Sequence, residues 1–102
     1  IKKIELFLPL YDASGTPFSA QLFQDIRKQL IKDFGGITAY TRAPAIGIWI
    51  DPKKQSIKDE NVVYEIMVAE IDYAYWKQFK KKLELQFAQK ELVIRQSEVG
   101  LL

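Results

Sequence analysis
Cysteine and histidine are both absent from the chain. Without cysteine there is no disulfide framework, no thiolate nucleophile and no zinc knuckle or iron–sulfur cluster. Without histidine, Ser-His-Asp and Cys-His catalysis, histidine-ligated zinc or iron and a proximal haem ligand are excluded as well. Any metal would have to be a hard ion on carboxylates, and any general base a carboxylate, a lysine or a tyrosine. Neither a metal nor a cofactor is expected. An excess of charge of one sign is lacking too: 15 basic against 13 acidic side chains leave a formal +2. No lopsided basic field points to nucleic acid. No apolar run approaches the roughly 18 residues that span a bilayer. The first residues, Ile1-Lys2-Lys3-Ile4-Glu5, carry no signal-peptide core. The expectation is a cytoplasmic protein with no membrane and no nucleic-acid partner.

What is present is apolar and aromatic: 48% and 13% of 102 residues, enough for one core and one domain over 1–102. Residues 3–10 alternate, with Ile4, Leu6 and Leu8 on one side and Glu5 and Phe7 on the other, which predicts a strand. Tyr11 to Pro17 is turn chemistry. Ser19 then reads as the N-cap of a helix with Phe18 and Phe23 at staple spacing, and Gly35-Gly36 stops it. Ile37–Arg42 and Ala45–Ile50 form a bent or bulged edge strand, because Pro44 cannot donate to a ladder. Asp51–Asn61 reads as a solvated hairpin loop, Val62–Ile71 as a long strand, and Asp72 as the cap of a second helix striped by Trp76, Phe79, Leu83 and Phe87. Glu91–Ser97 is the last strand. The lysines of the second helix read as a solvated face rather than a basic patch.

The order β-α-β-β-α-β predicts an α+β, ferredoxin-like domain. Its antiparallel sheet should run 4-1-3-2 with both helices on one face. The helix-facing set would be Ile4, Leu6, Leu8, Ile37, Ala39, Tyr64, Ile66, Val68, Leu92 and Ile94. Opposite parity leaves Phe7, Tyr40, Trp49, Val63, Met67 and Val93 on the other face, too much apolar surface for a soluble monomer. A homodimer paired through that face is expected.

With Phe34-Gly35-Gly36-Ile37-Thr38-Ala39-Tyr40 followed by Ala45-Ile46-Gly47-Ile48-Trp49, this arrangement resembles the dimeric α+β barrel superfamily, in particular an uncharacterised bacterial branch of its antibiotic-biosynthesis-monooxygenase-like members. The resemblance implies small ferredoxin-like domains pairing sheet to sheet. Haem-degrading members rely on a histidine that this chain does not have, so that activity is not implied.

The face opposite the helices also holds charge. Arg42, Arg95, Glu5 and Glu65 fall there, and the strand order makes Glu5–Arg95 and Glu65–Arg42 natural cross-strand pairs. These are the candidate site residues together with Tyr40 and Trp49, for a small anionic or aromatic ligand held between sheet and partner. Two alternatives stand beside ligand binding. One is a cofactor-independent oxygenase or isomerase, with Tyr40 or Glu65 transferring a proton and an arginine stabilising an enolate or peroxide. The other is a purely structural or assembly domain in which the charges set the dimer's register. No phosphate-cradling glycine loop and no RNA-stacking consensus is present.

Overall fold
The computed structural model describes the backbone of residues 1–102 and every side chain except those of Arg42, Ala43, Ile57 and Lys58. Six elements follow one another: β1 (Lys2–Pro9), α1 (Ala20–Phe34), β2 (Thr38–Ile50), β3 (Ser56–Val68), α2 (Tyr73–Gln86) and β4 (Ile94–Glu98). All pairings are antiparallel, and the strands lie in the order β2-β3-β1-β4. The fold is α+β and ferredoxin-like.

Both helices begin where their capping residues dictate. Ser19 Oγ accepts from the Leu22 amide at 3.2 Å, and an Asp72 carboxylate oxygen accepts from the Tyr75 amide at 3.1 Å, each satisfying a donor the first turn leaves free. Gly35 ends α1 at φ +85°, its amide donating to the Ile31 carbonyl, a conformation that only glycine adopts cheaply. Phe23, Ile26 and Leu30 of α1 and Trp76, Phe79 and Leu83 of α2 then pack on Ile4, Leu6, Leu8, Tyr64 and Ile66 of the sheet. Phe87 fills the space beyond α2, its ring 4.9 Å from Phe18 and 5.6 Å from Phe23.

The structure departs from the expected boundaries most at the hairpin. Asp51–Asn61 is not a loop: β3 begins at Ser56, and the turn is only Asp51–Gln55, closed by Asp51 Oδ1 accepting from the Gln55 amide. From Ser56 to Asp59, β3 pairs with β2 alone, since the β1 ladder ends at Pro9 opposite Asn61 and is followed only by the Leu10 amide donating to the Glu60 carbonyl at 3.0 Å. Lys58, Asp59 and Glu60 put three charged residues in succession there, so no apolar alternation marks the strand. β3 stops at Val68 rather than Ile71. β4 starts at Ile94 rather than Glu91 because the Leu92 amide is taken by Glu84 Oε2 at 3.1 Å. Ala39, expected under the helices, is exposed. β2 lies at the sheet's edge, and there the helix layer leaves it uncovered.

Candidate functional site
On the face away from the helices, the registers of three ladders line up residues in rows across the sheet. One row is Arg95 on β4, Glu5 on β1, Glu65 on β3 and Thr38 on β2. The next holds Phe7, Val63 and Tyr40 in register, extended by Val93, whose carbonyl accepts from the Phe7 amide at 3.0 Å. A charged row therefore lies beside an aromatic and aliphatic one.

Glu5 and Glu65 face each other directly across β1 and β3, an arrangement that costs stability for like charges. Each is engaged from the far side. Arg95 Nη2 lies 3.7 Å from Glu5 Oε1 while its guanidinium sits 4.4 Å above the Phe7 ring, which gives the cation a carboxylate at its edge and a π face beneath it. Tyr40 Oη donates to Glu65 Oε2 at 3.3 Å. The Glu65 carboxylate, first by its charge and then through this bond, holds the Tyr40 phenol above its usual value of 10.0. Tyr40 thus stays a donor at neutral pH and is a poor base.

Adjacent to these rows is an open groove of about 1040 Å³ reached by Phe7, Arg95, Trp49, Tyr11, Asp59 and Gln89, among others. Trp49 Nε1 donates to Asp59 Oδ2 at 2.9 Å, fixing the indole as a wall. The β1–α1 turn closes one end through Asp12, which accepts from the Ser14 hydroxyl and from the Ser14 and Thr16 amides. The Ser14 hydroxyl first, then these amides, holds the Asp12 carboxyl below its ordinary range.

Of the six residues expected from the sequence, Glu5, Glu65, Tyr40 and Arg95 share one patch. Trp49 lies on the same face but lines the groove, on the outer part of β2. The Arg42 side chain lies outside the described residues, and the position opposite Glu65 belongs to Thr38. Val63, expected to be uncovered, is buried between its cross-strand neighbours. The groove also uses Tyr11, Asp12, Asp59 and Gln89, which strand parity alone did not single out. Only Asp12-Ala13-Ser14 carried a sequence signal, that of an Asx turn. Among the described residues no group of three or more His, Cys, Asp or Glu could hold a metal ion. No helix of the described residues is long and apolar enough to cross a membrane.

No family model matches this chain, and no curated protein matches it in sequence. Solved structures do match its shape. A phage SAM lyase in complex with S-methyl-5'-thioadenosine superposes with a TM-score of 0.62 at 14% identity, covering 95% of this chain and 80% of the lyase. A phage SAM lyase in the apo state gives 0.60 at 12%, over 94% and 78%. The divalent cation tolerance protein (Cut A1) from Thermus thermophilus gives 0.63 at 10%, over 99% and 86%. At such identities the likeness is one of fold.

Proposed function
We infer that this chain is a small-ligand-binding domain whose site is the open sheet face, closed by a second copy in the manner of a dimeric α+β barrel and working in the cytoplasm. The observation that carries the reading is the paired rows: Tyr40–Glu65 and Glu5–Arg95 hold fixed polar groups directly beside Phe7 and Tyr40, with the Trp49-walled groove alongside. Rings on one side and oriented polar atoms on the other are what an aromatic ligand with hydroxyl or amino donors requires. Two carboxylates against one cation among the described side chains of the row favour such donors over a free anion. A nucleoside is the class that fits. The lyase that shares the fold binds S-methyl-5'-thioadenosine, a neutral nucleoside of this chemistry, which supports the reading by analogy of fold alone.

Binding is favoured over proton-transfer catalysis because the Tyr40 phenol is held protonated by Glu65 and Arg95 is already engaged by Glu5. Thermal melts with adenosine, S-methyl-5'-thioadenosine and benzoate test the reading. A ligand present at 100 times its dissociation constant adds about 2.7 kcal/mol to stability. The nucleosides should raise the melting temperature, benzoate should not, and Glu65→Gln should abolish the rise while leaving the fold intact. No shift with any nucleoside at millimolar concentration would remove the reading.

A further inference from the structure
Where the hairpin of β2 and β3 runs on past the end of β1, both of its strands have a free edge. An unpaired edge is a template for another strand unless charge or some other device guards it. On β3, Lys58, Asp59 and Glu60 supply that charge. On β2, Ala45-Ile46-Gly47-Ile48-Trp49-Ile50 supplies none, and Ile46, Ile48 and Ile50 are 54%, 68% and 63% exposed. The outermost strand of the sheet is thus the unguarded one.

The ladder also fixes which backbone groups that edge presents. The Asp51 amide donates to the Gln55 carbonyl at 3.0 Å, and antiparallel pairs alternate between bonded and non-bonded. Trp49, Gly47 and Ala45, opposite Ile57, Asp59 and Asn61, therefore turn their amides and carbonyls toward β3. Those of Ile46, Ile48 and Ile50 point away from it, to the outside of the sheet. Pro44 and Pro52 stand four residues to either side of Ile48, in phase with these outward positions, and a proline has no amide to offer. The free edge is a short window with Ile48 at its centre.

We propose that this window pairs with the same window of a second copy, antiparallel about a two-fold axis at Ile48, so that two four-stranded sheets join into one. In that register Ile48 meets Ile48 and Ile46 meets Ile50, each pair exchanging two backbone bonds. Pro44 then faces Pro52, so no bond is lost to either. Moving the axis to residue 47 or 49 would set a proline against an isoleucine and leave that isoleucine's carbonyl without a donor. The side chains agree with the same register. Gly47 of each copy lies against Trp49 of the other in a non-bonded pair, the closer kind, where a ring covers an edge glycine. Lys58 lies opposite Ile48 and Glu60 opposite Ile46, so the isoleucines of both copies form one apolar seam with the charged strand outside it on either hand. Because the contact is isologous, it closes at two copies rather than growing into a filament. It leaves the open sheet face free and does not depend on what that face binds.

Because the chain has no cysteine, single substitutions read this register directly. Under mild oxidation Ile48→Cys should link to itself, since the paired Cα atoms would lie about 5.5 Å apart, within disulfide reach. Ile46→Cys alone and Ile50→Cys alone should not, because each would stand roughly 14 Å along the strands from its own copy, whereas a mixture of the two should give a linked heterodimer. Failure of Ile48→Cys to link, or equal self-linking at positions 46 and 50, overturns the pairing. A second measurement separates this edge from the open face. Val93→Lys, which charges the open face, should leave the Ile48→Cys link in place, and loss of the link would assign the contact to that face and overturn the edge pairing. In sedimentation equilibrium of the Val93→Lys protein, adding Ile48→Lys sets like charges opposite each other on the axis and should weaken the remaining dimer at least tenfold. A Val93→Lys protein that is monomeric at every concentration, or a dimer unmoved by Ile48→Lys, overturns the proposal.

Discussion

Single side chains in this molecule act through the partner each one finds. Tyr75 Oη donates to Asp33 Oδ2 at 2.6 Å and so ties α2 to α1. Burial first, then this bond and the Asp33 charge, raise its phenol well above the ordinary 10.0. A folded-state value above the unfolded one means that the fold favours the protonated form. The stabilisation is therefore complete below about pH 10 and lost as pH rises past the unfolded value. Tyr75→Phe should cost about 0.5–1 kcal/mol at neutral pH, the net worth of one partly exposed hydrogen bond. That cost should shrink in denaturant melts taken above pH 10, whereas a difference that holds constant with pH would mean that the ring alone contributes. Glu5 and Glu65 show what parity could and could not tell. Alternation placed both on the open face, but their direct opposition depends on the offset between β1 and β3, which no local pattern carries.

At the scale of elements, the helices were the legible part because their signals are local. Ser19 and Asp72 cap, Gly35 terminates, and a 3.6-residue stripe marks the buried side. Phe79→Ala should cost roughly 3–5 kcal/mol, since the ring is 4% exposed and its loss leaves a cavity. Asp72→Ala should cost only about 1 kcal/mol, the worth of one cap. Urea titrations giving similar losses for the two would mean that α2 contributes by its propensity rather than its packing. The start of β3 was illegible for the converse reason: Ser56–Asp59 pairs with β2 alone and is largely charged, so no apolar alternation marks it in the sequence. The groove was hidden too, because Tyr11, Asp59 and Gln89 lie far apart in the chain and converge only through tertiary packing.

For the molecule as a whole, the helices cover one side of the sheet and leave Tyr40, Trp49, Met67 and Val93 near half exposed on the other. If copies cover that side, folding and association are one equilibrium. The melting temperature should then climb with protein concentration, and Val93→Lys should flatten the dependence. A wild-type melting point constant over a hundredfold range of concentration would show that the exposed face is tolerated bare. Which residues occupy that face is decided in a short stretch of β2. Between Tyr40 opposite Val63 and Ala45 opposite Asn61, four residues of β2 stand against one of β3. The surplus is odd, so the even-numbered residues before it and the odd-numbered ones after it look the same way. Positions 41–44 thus work as a phase setting for the outer strand. Removing a single codon there would leave composition and charge balance almost untouched, yet turn Trp49 toward the helix side and Ile46, Ile48 and Ile50 toward the open face.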